Sequence, residues 1–210
     1  MTDVPIEDTK LVQLVAVGKL TQENAVKWED LAKKAKSCEA CSLHESCTNK
    51  VFGIGSVCAP FMFIGDSPTA PDDFRGEAFS SKTGLLFKKA MHDAGFQRGD
   101  AYLTNLVCCR APKDRDPKDS EIGACFLRLW NQIEIIRPKV IVLIGSLALK
   151  KFAPKGIKAI GSSRGDVFSS YGYRMIPVWH PSYVLSSKSA LRKKELEKDL
   201  KKAYYEVFAV

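Results

Sequence analysis

Three sets of residues in this 210-residue chain have the types and spacing to do chemistry. The first is cysteine: a Cys38-x-x-Cys41 pair, the adjacent Cys108 and Cys109, and Cys125, with Cys47 and Cys58 between them. Closely spaced thiols offer soft, ionisable sulfurs to a metal ion, or else pack as small buried hydrophobes. The second is a group of polar, turn-rich segments, each at the end of an apolar run: Gly65-Asp66-Ser67-Pro68-Thr69, Asn105, and His180-Pro181-Ser182-Tyr183. An amide presents a donor and an acceptor together, and a fixed imidazole N–H can stabilise developing negative charge. The third is the stretch from Ser186 to Lys202, with seven basic against three acidic residues. Such a run is ordinarily a solvated helix face, and it points to a polyanion only in company with other signs.

The elements that must position these groups follow from periodicity. Four apolar, β-rich runs stand out: FMFIG (61–65), AYLTNLV (101–107), KVIVLIG (139–145) and YRMIPVW (173–179). Helical patterns separate the first three, at 84–95 and from Ser120 to Arg137, where Pro138 stops the chain. SLALKKFA (146–153) predicts a short helix and 189–207 a final one. Near the start, Thr21 is placed to cap a helix whose inner face is Ala25, Trp28, Leu31 and Ala32. Alternation of strand and helix predicts an α/β fold. It would be a three-layer α/β/α arrangement around a central, mainly parallel four-stranded sheet. Residues 1–37 would be a helical extension packed on a domain spanning 38–210. Ligands in such folds bind beyond the C-terminal strand ends, where the three polar segments converge.

Hydrophobic residues make up 45% and charged residues 27%, an ordinary balance for a globular chain with a sizeable core. No apolar run approaches a membrane span, and the opening residues lack a secretory pattern. A cytoplasmic, monomeric protein with reduced thiols is therefore expected. The net charge of +8 adds weight to a nucleic-acid partner. The thiols leave two readings open. Cys38, Cys41, Cys47 and Cys58, with His44 nearby, have the makings of a local zinc site, although the spacing from Cys47 to Cys58 is loose.

Read in order, these motifs resemble the iron–sulfur, family-four uracil-DNA glycosylases. The likeness is carried by VFGIGS (51–56), GDSP (65–68), GEAF (76–79), TGLL (83–86), YLTNLVCCRAPKDRDP (102–117), PKVIVLIG (138–145), Arg164-Gly165 and HPSYVL (180–185). It implies a [4Fe–4S] cluster on Cys38, Cys41, Cys109 and Cys125, leaving Cys108 to pack. It implies a pocket in which Phe79 stacks on a flipped uracil and Asn105 reads its edge. Gly65 and Ser67 would line that pocket, His180 would donate to uracil O2, and Asp66 would position the hydrolytic water. The implied partner is uracil-containing DNA. Leu185 or Leu191 would fill the vacated stack, and Lys188, Arg192, Lys193 and Lys194 would meet phosphates.

The chain also departs from the family pattern. Asp66 stands where a glutamate is usual, Ser67 and Thr69 replace smaller residues, and Ser80-Ser81 replaces a Val-Gly pair. The departures raise two alternatives: a glycosylase for another deaminated base such as hypoxanthine, or a catalytically silent DNA-binding or protein-interaction module on the same fold. Strand alternation carried to the end of the second run places Leu103, Asn105, Val107 and Cys109 on one side, with Leu106 and Cys108 on the other.

Overall fold

The computed structural model describes residues 8–157 and 159–208. It opens with two helices, α1 (Asp8–Ala16) and α2 (Gln22–Lys36). Thr21 starts the second: its hydroxyl accepts from the Asn24 N–H at 3.1 Å, pairing one of the donors a helix start leaves open. The buried face of α2 is Ala25, Trp28, Leu31 and Ala35, so Ala35 takes the inner place expected of Ala32. Trp28 lies edge-on to Phe52 and Tyr102, with ring centroids 5.2 and 5.3 Å away.

The remaining elements are, in chain order, β1 (Ile54–Gly55), β2 (Phe61–Gly65), α3 (Ala70–Arg75), α4 (Lys82–Asp93), β3 (Ala101–Asn105) and α5 (Asp119–Ile136). They continue with β4 (Val140–Ile144), α6 (Ser146–Phe152), α7 (Ile160–Ser163), β5 (Phe168–Ser170), β6 (Tyr173–Val178), α8 (Pro181–Ser186) and α9 (Ala190–Phe208). The six strands form one sheet in the order β1-β3-β2-β4-β6-β5. The inner strands β3, β2, β4 and β6 run parallel, as the sequence predicts. The outer strands β1 and β5 are antiparallel additions that periodicity does not reveal. Each is short and only partly buried, and neither carries an apolar run.

Every residue of β2, β3 and β4 is buried, because helices cover both faces of the sheet. Alternate residues serve opposite layers. Met62, Ile64, Tyr102, Ile141 and Leu143 pack with residues of α2, α5 and α6. Phe61, Phe63, Leu103, Val140 and Val142 pack with residues of α4 and α9. The result is the three-layer α/β/α arrangement.

Two local expectations are corrected. The second apolar run stops being a strand at Asn105. Its last rung is the Leu106 N–H donating to the Gly65 carbonyl at 2.9 Å. Beyond it, Leu106, Val107, Cys108 and Cys109 all join the same core cluster, so two-sided alternation ends with the ladder. Further on, α8 precedes the final helix as a separate turn. His180 caps it and Pro181 occupies its first turn, where a missing N–H costs nothing. No helix among the described residues is long and apolar enough to cross a membrane.

The contact between α2 and the sheet gives a direct test. Trp28→Ala removes a nearly buried indole wedged between two rings, and unfolding by urea should show a loss of about 3–5 kcal/mol. A loss below ~1 kcal/mol would mean the helix is not part of the cooperative core.

Candidate active site

Among the parallel strands, β2 has β3 on one side and β4 on the other, so the chain reverses direction across β2. The C-terminal end of β2 is therefore the switch point at which doubly wound sheets open a crevice. Gly65 and Asp66 stand there. Gly65 is paired with Asn105 across the ladder. A Cβ on Gly65 would lie 2.5 Å from Asn105 Oδ1 and 3.0 Å from Phe79 Cζ, so only a glycine lets the amide and the ring approach this close. Gly65, Asn105 and Phe79 thus meet at one point, as the sequence predicts.

Phe79 reaches this point at a cost. It adopts φ 57°, the left-handed region that non-glycine residues avoid. A buried carboxylate holds the loop in place. Asp72 accepts from the Ser80 N–H at 2.6 Å, the Ser80 hydroxyl at 2.9 Å and the Ser81 N–H at 3.2 Å. Its other oxygen accepts from the Thr69 N–H at 2.9 Å and the Thr69 hydroxyl at 2.7 Å. One side chain thus joins the loop after β2 to the loop carrying Phe79. Thr69 and Ser80, two of the departures from the family pattern, both use their hydroxyls on it. Sequence reading missed Asp72, although Thr69-x-x-Asp72 has the spacing of a capping box, which α3 uses.

On the other side of Gly65, Asp66 turns toward β4. Its Oδ1 accepts from the Ala148 N–H at 3.0 Å, at the start of α6. A Cβ on Gly145 would lie 2.9 Å from Asp66 Oδ2 and 3.3 Å from His180 Cβ, so the carboxylate and the imidazole flank one glycine. Burial pushes the Asp66 carboxyl up to about 7, against the lowering effect of the Ala148 N–H, and Asp116 adds to the rise. Burial lowers the His180 imidazole, while Asp116 opposes that shift. Asp116, which the sequence did not single out, therefore bears on both groups. Its segment is held by Arg115, whose guanidinium donates to both oxygens of Glu121 at 2.9 and 2.7 Å.

The hydrogen bonds of His180 fix its tautomer. Nδ1 accepts from the Ser182 N–H at 3.3 Å and lies 2.6 Å from the Ser182 hydroxyl. The proton of the neutral ring is then on Nε2, which becomes a donor. Ser67 is half-buried beside Asp66.

Near α8 the expected DNA contacts divide. Leu191 is 62% exposed, whereas Leu185 is half-buried. Lys188, Lys193 and Lys194 are exposed. Arg192, expected on phosphate, is partly exposed and also makes contacts within the protein. Its guanidinium stacks 4.8 Å from the Trp179 ring and donates to Glu195 at 3.0 Å.

The thiols gather on the opposite side of β3. Cys125 Sγ lies 3.9 Å from Cys108 Sγ, and the shared hydrogen bond, aided by Arg128, holds the Cys125 thiol down at about 5. Cys108 is correspondingly pushed up. Cys109 is pushed up by burial and by a hydrogen bond with Cys47, and it also feels Cys125. Burial raises Cys41, within electrostatic range of Cys125 and Cys38. Cys108 therefore does more than pack. Cys58 donates to the Lys19 carbonyl at 3.3 Å.

Among the described residues, no three His, Cys, Asp or Glu side chains converge tightly enough for a single metal ion. A [4Fe–4S] cluster would instead be held by four cysteine thiolates, each on a different iron. Two cations flank the group. Lys50 Nζ lies 3.1 Å from Cys47 Sγ, and Arg128 lies 3.7 Å from Cys125 Sγ. Positive charge on both sides suits sulfurs that carry negative charge.

A doubly wound sheet with an amide, a buried ring, a carboxylate and an imidazole at its switch point defines the class: an α/β protein with a candidate site in that crevice. The profile of the uracil DNA glycosylase superfamily matches residues 52–204. A type-4 uracil-DNA glycosylase of Thermotoga maritima is 36% identical over 83% of this chain and 92% of its own length. Those of Archaeoglobus fulgidus and Saccharolobus solfataricus are 34% and 36% identical, over 83% and 82% of this chain and 90% and 82% of their own lengths. The chain belongs to the uracil DNA glycosylase superfamily and, within it, to the type-4 uracil-DNA glycosylases.

The raised Asp66 carboxyl has a measurable consequence. With a folded-state value of about 7 against the ordinary 3.8, ionisation disfavours the folded state as pH rises through that window. Asp66→Asn should therefore be more stable than the wild type above pH 7, by roughly 2–4 kcal/mol at ~1.4 kcal/mol per unit. The gap should close as the pH falls toward 4. Melting temperatures that run in parallel from pH 4 to 8 would contradict the burial of an ionisable group here.

Proposed function

We propose that the chain removes uracil from DNA by hydrolysing the bond between the base and deoxyribose C1′, leaving an abasic site. The observation that carries this reading is that Asn105 and Phe79 meet at Gly65, while the next residue, Asp66, meets His180 across Gly145. The target nucleotide leaves the stack to enter the pocket, which costs a few kcal/mol. Stacking on Phe79 returns about 1–3 kcal/mol. The Asn105 amide reads N3–H and O4 of uracil, and cytosine presents the reverse pattern at that edge. As the C1′–N1 bond lengthens, the base takes up negative charge and the Nε2–H of His180 donates to O2. Asp66, as the carboxylate, accepts a hydrogen bond from the water that adds to C1′.

The hypoxanthine alternative rested on Thr69 and Ser67. The Thr69 hydroxyl is turned to Asp72, so this departure acts on loop anchoring. Exposed Leu191 is suited to fill the vacated stack, with Lys188, Lys193 and Lys194 on phosphates. We read residues 8–37 as an extension of the domain, on the strength of the Trp28 contacts; residues 1–7 of the expected extension lie outside the described residues.

Cys38, Cys41, Cys109 and Cys125 are the residues we assign to a [4Fe–4S] cluster. Such a cluster supplies a structural tie between the segment after α2, the exit of β3 and α5. Cys108 is assigned as a hydrogen-bonding neighbour of the Cys125 sulfur.

Oligonucleotides carrying uracil, hypoxanthine or neither test the activity through alkali-labile sites. Uracil substrates alone should be cleaved, and cleavage of none would sink the proposal. His180→Ala should lower kcat by about 10²–10³ with DNA affinity kept. In the wild type, kcat/KM should rise through pH ~7 as Asp66 ionises. Iron content and absorbance at ~400 nm test the ligand set: Cys109→Ala should lose both and Cys108→Ala should keep most of both.

A further inference from the structure

Arg128, on α5, makes an unusual set of contacts. One terminal nitrogen donates to the Asn105 carbonyl at 2.9 Å and the Leu106 carbonyl at 3.1 Å, and lies 3.7 Å from Cys125 Sγ. The other donates to Gln132 Oε1 at 2.6 Å and Thr104 Oγ1 at 3.1 Å. Its Nε is buried and has no partner among the described residues. None of these partners is a carboxylate. A guanidinium taken from water needs a negative counter-charge or it is strongly destabilising. The sulfur of Cys125, one of the proposed ligands, is the group in direct reach that supplies it, because metal-bound cysteine is thiolate.

The same guanidinium also sets the recognition amide. Asn105 carries the side chain that meets Gly65 and Phe79. Its own carbonyl is gripped by Arg128, and the next N–H, that of Leu106, is gripped by Gly65 at 2.9 Å. The peptide that aims the amide is thus fixed at both ends, by the cation at one and the floor of the pocket at the other.

We propose that Arg128 is the counter-cation of the thiolate-held cluster and, through the same guanidinium, the positioning residue that aims Asn105, so that an intact cluster and uracil recognition are coupled. This rests on the cluster reading above. The two substitutions separate its halves. Lysine keeps the charge but lacks the planar fork that spans two carbonyls and a side-chain amide. Methionine keeps the stem and removes the charge.

The experiment uses the full-length, iron-loaded protein. In R128M, loss of the ~400 nm band under a chelator should accelerate about 10-fold or more, as for other groups that support metal ligands. The reduction potential of the cluster should move lower, because a neighbouring positive charge favours the reduced form. In R128K, the bleaching rate and potential should stay near wild type, while KM for uracil-containing DNA rises about 10-fold and discrimination against cytosine weakens. A brown wild type whose R128M variant bleaches at the wild-type rate and potential would overturn the counter-cation role. An R128K variant with wild-type KM and discrimination would overturn the positioning role, and it remains informative if R128M fails to fold. A wild type without iron would overturn the cluster reading itself, and the coupling with it.

Discussion

The constraint on which this structure depends is the close approach at Gly65. Because β3 and β4 lie on opposite sides of β2, the chain leaving β2 enters a crevice bounded by the end of β3 and the start of α6. There is no room there for a side chain: even a Cβ on Gly65 would press on both the Asn105 amide and the Phe79 ring. The missing side chain brings a hydrogen-bonding edge and an aromatic face to one spot. Asp66, the next residue, is then delivered to the opposite wall. The spacing of the proposed recognition and catalytic groups is thus a property of two consecutive backbone positions.

This arrangement is unfavourable in two places, and each is countered locally. Phe79 holds a left-handed backbone, and Asp66 holds a carboxyl where burial resists ionisation. Strain of the first kind costs on the order of 1–3 kcal/mol and persists only where the surroundings over-determine it. Asp72 supplies that determination. Its five hydrogen bonds reach the loop before α3 and the loop before α4, and they connect backbone and hydroxyl donors in both. Thr69 and Ser80 look like erosion of the pattern when taken singly. Together they are matched donors for one carboxylate. At Asp66, the Ala148 N–H partly offsets the burial and leaves the group poised near neutrality. A glutamate there would bring one more methylene into the same crevice, and the shorter side chain suits a wall defined by Gly145.

The sequence made the parallel strands and the long helices legible because their periodicity is a direct record of burial. FMFIG and VIVLI are apolar throughout because helices cover both sides. The strands β1 and β5 were not legible, since a two- or three-residue edge is defined by its pairing partner and leaves no pattern of its own. The same holds for the site. Gly65, Asp66, Asn105 and His180 were readable as candidates because each sits in a motif at a strand end, and Phe79 because it sits in the GEAF motif between α3 and α4. Asp72, Asp116 and Arg128 were not. Their importance comes from what they meet across the fold: two loops for Asp72, a pair of titrating groups for Asp116, and the backbone of β3 for Arg128. The internal partners of Arg192 were hidden for the same reason: a basic run does not show that the fold places Trp179 and Glu195 beneath it.

The exit of β3 shows how one short segment serves two chemistries. Thr104 faces the α5 side, where its hydroxyl meets Gln132 and Arg128. Asn105 faces the crevice. Strand geometry requires this opposition of neighbours, but it stops at Asn105, where pairing ends. The chain then folds back on one side, so that Leu106, Val107, Cys108 and Cys109 share a single apolar cluster. A longer strand would have sent Cys108 and Cys109 to opposite faces of the sheet. Ending the ladder at Asn105, the residue proposed to read the base, lets the next four residues turn together, and the two thiols then meet Cys125 and Cys47. The placement of the paired cysteines and of Asn105 follows from the same strand terminus, which is why a single guanidinium can hold the Asn105 carbonyl and lie against Cys125, the neighbour of Cys108.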